Sequence, residues 1–221
     1  MTPMAGALNL EIAGEQVVLL PERALWLPAF DTLLVADLHW GKAAAFRAAH
    51  VPVPMGTTSS DLARLSSAIE ATNTARLVVL GDLLHARSGR HEETLGTIAA
   101  WRGRHTALAI TLVRGNHDAH AGDPPETLDI VCTDAPVRLG PFVGVHEPAV
   151  DPNSYVLCGH VHPNVTVRGR GRQSLRLPAF VFGTARGVLP AFSSFTGGGM
   201  YQRVAGDRAY AIAGDEVVAF D

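Results

Sequence analysis

Residues 32–39 read TLLVADLH and residues 76–85 read RLVVLGDLLH. Each begins as a short apolar run rich in Val and Leu, a strand signature, and each ends on an aspartate followed closely by a histidine. Further runs of this kind stand at Gln16 to Leu20, Ala107 to Val113, Phe142 to Val145, Tyr155 to Cys158, Leu175 to Phe182 and Arg208 to Ala213. Between the two quoted runs, Leu62, Leu65 and Ile69 recur at helical spacing, which predicts a helix over Ser60 to Ala71 whose first turn a Thr/Ser cluster could cap. Leu95, Ile98 and Ala99 repeat the pattern before the run at Ala107. Strand and helix therefore alternate in the first half, which implies parallel strands joined by crossover helices. From Phe142 the helical period disappears and strands succeed one another through Gly-rich turns, so the second half is expected to be mostly β and antiparallel at its edges. The two halves together predict an α/β (α+β) fold with a two-layer β-sandwich core flanked by helices.

A length of 221 residues allows one large domain, expected to span residues 1–221. With 47% hydrophobic and 18% charged residues the chain is expected to fold compactly rather than stay disordered. A net charge of −3 argues against a protein drawn to nucleic acid by a broad positive surface, although a local basic strip or bound cations would suffice. Cys132 and Cys158 are too few for a disulfide framework or a thiolate zinc site. No basic segment precedes a long apolar run at the N-terminus and no stretch has the length of a membrane span, so a cytoplasmic protein is expected.

Five apolar runs lead into polar blocks: VADLH, VLGDLLH, LVRGNHD, GVHEP and LCGHVH. Strands of an open α/β sheet carry ligands beyond their carboxyl ends, so these distant residues are expected to converge at one edge. Asp37, His39, Asp82, Asn116, His117, His146, His160 and His162 mix hard oxygen donors with imidazoles, a set suited to divalent first-row metals. The pairs Asp37/His39 and His160/His162 are spaced so that an extended strand would turn both members to one side. The donors outnumber the needs of one tetrahedral ion. Two metals about 3.5–4 Å apart, bridged by a carboxylate such as Asp82, would suit in-line displacement at phosphorus.

The ordered blocks DLH, GD, GNHD, a later lone His and GHVH resemble the signature blocks of the calcineurin-like metallophosphoesterase superfamily over residues 37–162. The resemblance implies that superfamily's fold and a dinuclear phosphoesterase. It places Asp37, His39 and His162 on one metal, Asn116, His146 and His160 on the other, and Asp82 between them, with a metal-bridging hydroxide as nucleophile. His117 would contact the phosphoryl group and assist the leaving group, and Asp118 would orient its ring. The metals are expected to be manganese, with zinc or iron as alternatives. The sequence DLHWGKAAAFR, with GDLLH, further resembles the bacterial phosphoesterases associated with an ATP-dependent DNA ligase and a DEAD/H-box helicase, which implies those partners and a nuclease role in DNA repair or end processing.

Two positions depart from the superfamily pattern. His85 stands where many members carry an acidic residue, and Glu147-Pro148 follow His146 where many have glycine. Trp40, Lys42, Arg47 and His85 are candidate substrate contacts, Trp40 by stacking on a base and the two cations by pairing with phosphate. A solvated helix start is the plainer reading of Trp40, Lys42 and Arg47, and a solvated hairpin the plainer reading of RGRGRQSLR at Arg168 to Arg176. Gly197 to Gly199 is expected to be a turn, Cys158 an inert buried thiol, and His50, His91, His105 and His120 ordinary polar residues. Phosphodiester or phosphomonoester hydrolysis on nucleic acid or nucleotides is the expected function. The alternatives are a phosphoesterase for a lipid-linked or signalling nucleotide or a phosphoprotein, and a non-catalytic, metal-stabilised binding module.

Overall fold

The apolar runs of the first half form a sheet whose strands lie in chain order. They are β1 (Leu8–Ile12), β2 (Glu15–Leu20), β3 (Ala24–Leu27), β4 (Thr32–Val35), β5 (Arg76–Leu80), β6 (Ala109–Val113) and β7 (Ile130–Thr133). The structure is a computed structural model that describes residues 4–53, 56–169, 171, 173–201 and 204–220. From β1 to β4 neighbours pair antiparallel, and from β4 to β7 they pair parallel. The parallel half needs crossovers, which are α1 (Lys42–Ala48) with α2 (Thr57–Thr72), α3 (Glu92–Arg104), and the short α4 (Asn116–Ala121).

The second half supplies β8 (Val137–Leu139), β9 (Phe142–Gly144), β10 (Tyr155–Cys158), β11 (Pro163–Arg168), β12 (Ser174–Phe182), β13 (Arg186–Val188), β14 (Gly199–Met200), β15 (Arg208–Ala213) and β16 (Glu216–Phe220). Among the described residues these make one nine-stranded sheet. Its centre is parallel, with β10 between β9 and β13, and the flanking pairs β8–β9, β11–β12, β12–β15 and β15–β16 are antiparallel.

Period-two alternation decides which face each residue of the central strands serves. Leu33, Val35, Leu77, Val79, Ile110 and Leu112 pack under the helices with Leu62, Leu65, Ile98 and Trp101. Leu34, Val78, Leu80 and Val113 point the other way and meet Phe142, Leu157, Phe180, Phe182 and Tyr210 of the second sheet. Strands covered on both faces have no place for alternating polar residues, which is why LLVA at 33–36 and LVVL at 77–80 read as unbroken apolar runs. Fully burying each such side chain contributes about 1.5–3 kcal/mol.

The expected architecture is therefore present, with differences of detail. Strands β1, β3, β7, β8, β11, β13, β14 and β16 had no clear counterpart in the apolar runs, because most are edge or near-edge strands with exposed positions. The first long helix begins at Thr57, and Gly56 in the left-handed region precedes it with no side-chain cap, so the Thr/Ser cluster lies inside the first turn. In α3 Ala99 is exposed and Trp101 is buried. Of the RGRGRQSLR segment, Arg168 ends β11 and Ser174 to Arg176 begin its antiparallel partner β12, as in the expected hairpin, and Arg170 and Arg172 lie outside the described residues. The Gly197–Gly199 stretch is more than a turn, since Gly199 enters β14 and pairs with Pro163. Burial pushes the Cys158 thiol up to about 12, in keeping with an inert side chain. No helix among the described residues is long and apolar enough to cross a membrane.

Candidate metal centre

Beyond β4 and β5 the two chains stay zipped: Asp37 N donates to Gly81 O at 3.1 Å, His39 N to Asp82 O at 2.8 Å and Trp40 N to Leu83 O at 2.9 Å. This part of the backbone is not extended. Asp37, His39, Asp82, His160 and His162 all have positive φ, between 47° and 69°. The same-side geometry of an extended strand therefore does not bring Asp37 to His39 or His160 to His162. Left-handed turns past the strand ends do, at a cost on the order of 1–3 kcal/mol for each non-glycine residue so held.

Two of the resulting groups of donors carry the expected ligands, and a third joins His39 to His85 and His117. Asp37, His39 and His162 form the first, and Asp82, His146 and His160 the second, each with ligand atoms within 4.8 Å of one another. His162 Nε2 lies 3.3 Å from Asp37 Oδ1. In the second group His146 Nε2 lies 3.0 Å from Asn116 Oδ1, 3.1 Å from His160 Nδ1 and 3.5 Å from Asp82 Oδ1. Asp82 faces both groups, because its other oxygen is 3.8 Å from His39 Nε2. His146 sits in this set despite the Glu147-Pro148 that follows it. Its Nδ1 donates to Leu80 O at 3.0 Å, which leaves Nε2 as a lone pair toward the cluster.

The glycines of the GD and GN pairs leave room for this contact. A Cβ on Gly81, whose φ is +79°, would lie 2.1 Å from His146 Nδ1, and one on Gly115 would lie 2.3 Å from Asp82 Oδ1.

The residues fit divalent cations on physical grounds. Asp37 Oδ1, both ring nitrogens of His39 and His162 Nε2 are buried with no hydrogen-bond partner among the described residues. Buried polar atoms left unpaired cost about 1–3 kcal/mol each. A cation would take a lone pair from Asp37 Oδ1, from His162 Nε2 and from one nitrogen of the neutral His39 ring. Burial, reinforced by the charges of Lys42, His162, His117 and His85, holds His39 down to about 2, so its imidazole is neutral and ready to ligate. Burial lowers His162 as well, but the Asp37 carboxylate outweighs it and the net direction is upward. Burial also raises Asp82 above the usual carboxylate range, a cost that adjacent cations reverse. At a concentration of manganese 100-fold above its dissociation constant, the chelator-treated protein is expected to gain about 2.7 kcal/mol of stability. Differential scanning fluorimetry would register that as roughly 5–10 °C, and an unchanged melting temperature would mean that the donors grip no ion.

His117 lies beside these groups, its ring 4.8 Å from that of His39. Its Nδ1 is 2.8 Å from His85 O and must donate to that carbonyl, which leaves Nε2 to exchange a proton. Asp118 does not orient this ring. Its buried carboxylate accepts from the backbone N–H of Asp82 at 2.8 Å, Leu83 at 3.0 Å, Leu84 at 3.3 Å and Gly115 at 2.9 Å. The Asp118 side chain thus lies within the turn of α4 and clamps the loop after β5, while the His117 ring points away to His85.

The candidate substrate contacts divide. Trp40 is 2% exposed beneath Trp101, so a base cannot reach its ring. Arg47 lines a separate hollow with Glu93, Thr94 and Thr97, which Lys42 does not line. Lys42 is half-buried. Burial lowers its pKa while Asp82 and Asp37 draw it back up, as expected of a cation beside the centre. His85 stacks on His117 with centroids 4.9 Å apart at 24°, and burial holds it at about 4. His105 makes a hydrogen bond with Ser66 of α2, and His120 a local one with the Asn116 carbonyl.

One part of the site escaped the sequence reading, the segment 191–197. Phe192 N donates to Ala36 O at 2.7 Å and Ser193 N to Asp37 O at 3.2 Å, so the segment lies against the first metal group. Buried Asp61 accepts from Ser194 N at 3.1 Å and pairs with Arg64 at 2.7 Å, while Arg23 donates to Ser193 O at 2.8 Å. An acid beside Leu62 on the buried side of α2 was the one available signal.

No protein-family model matches the chain, and no curated protein matches it either. Among solved structures, Pseudomonas putida nuclease MPE is 41% identical with a TM-score of 0.84, over 97% of this chain and 100% of that one. Looser likenesses are to the E. coli phosphoesterase Yfce, 16% identical with a TM-score of 0.41 over 85% of this chain and 96% of that one, and to zinc-complexed Vps29 from Entamoeba histolytica, 14% identical with a TM-score of 0.34 over 86% and 96%. At so low a superposition neither of these two bears on the site.

Proposed function

Since the chain belongs to the calcineurin-like metallophosphoesterases and is a metal-dependent phosphoesterase, we propose that it uses two divalent cations to hydrolyse phosphodiester bonds of nucleic acid or nucleotides, in DNA end processing or repair. The observation that carries this reading is the position of Asp82, whose two oxygens each face one group of lone-pair donors. The 41% identity with a nuclease over nearly the whole chain supports the choice of substrate.

Asp37, His39 and His162 would hold one cation, and Asn116, His146 and His160 the other, with Asp82 shared between them. When bound, such a pair polarises phosphoryl oxygens and lowers the pKa of water toward neutrality. The chain's own groups do the rest. His117, with Nδ1 committed to His85 O, holds a proton at Nε2 in its imidazolium form and delivers it to the departing oxygen as the P–O bond breaks, while a water oxygen bonds to phosphorus and the proton that this water gives up passes to solvent. The His85 carbonyl fixes the tautomer and the ring direction. Lys42 stabilises the charge that gathers on the phosphoryl oxygens.

The test compares rates, with manganese, on an aryl phosphodiester, on DNA ends and on cyclic nucleotides and phosphopeptides. Cleavage of DNA in preference to phosphopeptide is expected. His117→Ala is expected to lower kcat by about 100- to 10,000-fold while metal content stays at the wild-type level. Full turnover by this variant would remove His117 from the chemistry.

A further inference from the structure

The mechanism above leaves unused a hollow of about 300 Å³ between α1 and the segment 191–197, lined by Lys42, Phe46, Ser194, Phe195, Thr196 and Gly197. That volume is at the small end of ligand pockets, roughly 300–1,000 Å³. Its walls are two half-buried phenylalanines that meet edge to face, with centroids 5.7 Å apart at 83°. The hollow adjoins the metal centre at two points. Phe46 packs on His85 at 6.1 Å, and His85 stacks on His117, so a row of rings leads from the hollow to the proton donor. On the other side Gly197 O is 3.4 Å from His162 Nδ1.

The wall that carries Phe195 is held firmly, by the buried Asp61–Arg64 pair, by Arg23 and by backbone bonds to Ala36 and Asp37. A hollow with apolar aromatic sides and a lysine at its inner end suits a flat ring joined to an anion. Aromatic faces stack on any base, and a lysine pairs with backbone phosphate as a point charge.

We propose that this hollow is the subsite for the nucleobase on the departing side of the scissile phosphate, with the base stacked on Phe46, edged by Phe195 and joined to a phosphate paired with Lys42. The departing side follows from the row of rings that ends on His117. The proposal rests on the nucleic-acid reading given above. Phe46 and Phe195 thereby become specificity-determining residues, and the segment 191–197 becomes part of the substrate cleft.

The test uses single-stranded oligonucleotides with either a normal or an abasic nucleoside beside the cleaved phosphate. The product bearing the new hydroxyl identifies the departing fragment. Removing the base on that side is expected to lower kcat/KM by about 10-fold, and removing the base on the retained side by less than about twofold. In Phe46→Ala and Phe195→Ala the ratio of normal to abasic kcat/KM is expected to fall toward one. Phe46→Leu, which keeps apolar bulk without a π face, serves if the alanine variants fail to fold, and its ratio is expected to fall as well. Equal cleavage of normal and departing-side abasic strands by wild type would overturn the subsite while leaving the nuclease reading intact. A wild-type ratio preserved in Phe46→Leu would overturn it too. Hydrolysis of an aryl phosphodiester with no cleavage of any oligonucleotide would overturn the nucleic-acid reading and the subsite with it.

Discussion

Replacing Asp82 with alanine is expected to lower phosphodiester turnover by about 1,000-fold or more, equivalent to roughly 4 kcal/mol of transition-state stabilisation. The cause is position rather than charge alone. Asp82 faces His39 with one oxygen and His146 with the other, so its loss removes a donor from both groups together. On the two-cation reading, metal content measured by mass spectrometry is accordingly expected to fall from two ions per chain to one or fewer. The metal-free variant is expected to melt within a few degrees of metal-free wild type. It loses the bond that Asp82 Oδ1 accepts from His117 N at 2.9 Å, but it also sheds a carboxylate that burial holds above its usual range. The sign follows from linkage: a carboxyl whose folded pKa is raised destabilises the fold when ionised, so removing it is not costly at neutral pH. Two ions per chain with normal turnover in Asp82→Ala would refute a shared ligand at this position.

Asp118→Ala is expected to produce the largest loss of stability at the site, about 3 kcal/mol, because the donors it leaves unpaired outweigh the relief of a carboxyl that burial holds above its usual range. Its carboxylate satisfies four backbone N–H groups, on Asp82, Leu83, Leu84 and Gly115, and each buried donor left unpaired costs about 1–3 kcal/mol before the loop relaxes. A thermal melt is expected to shift down by roughly 6–12 °C. Turnover falls as well, because the clamped loop carries Asp82. Asp118→Asn should lie between, since its amide oxygen still accepts while its NH₂ opposes a donor. A variant that melts like wild type and yet loses its turnover would instead give Asp118 the ring-orienting part that its place beside His117 suggests.

The difference between these two aspartates explains what could be read in advance. Asp37, His39, Asp82, His146, His160 and His162 were all recognisable, because apolar runs ending in polar blocks mark strand ends and strand ends share an edge. Asp118 was recognisable as part of the site but not in its role. Adjacency in sequence suggested a bond to His117, whereas a helical turn sends neighbouring side chains about 100° apart and turns Asp118 back onto the β5 loop. Trp40 failed for a related reason: an aromatic residue beside two ligands looks like a stacking platform until the helices above it are placed, and Trp101 of α3 then covers it. Phe195 and its supports gave no joint pattern beyond the buried-side acid Asp61, since Asp61, Arg23 and Phe195 are separated by long stretches of chain.

By itself the sequence determined the strand and helix alternation of the first half and the set of candidate donors. Those follow from short-range periodicity and from the chemical types of side chains, which are properties of the chain read locally. Only the tertiary structure decided how the donors meet, through left-handed turns at Asp37, His39, Asp82, His160 and His162 rather than along an extended strand. It alone also decided which cation and which rings border the centre, with Lys42, Phe46 and Phe195 beside it and Trp40 and Arg47 turned elsewhere. The physical reason is that φ at a strand end and the neighbours of a side chain are set by packing from distant segments, which no local pattern encodes.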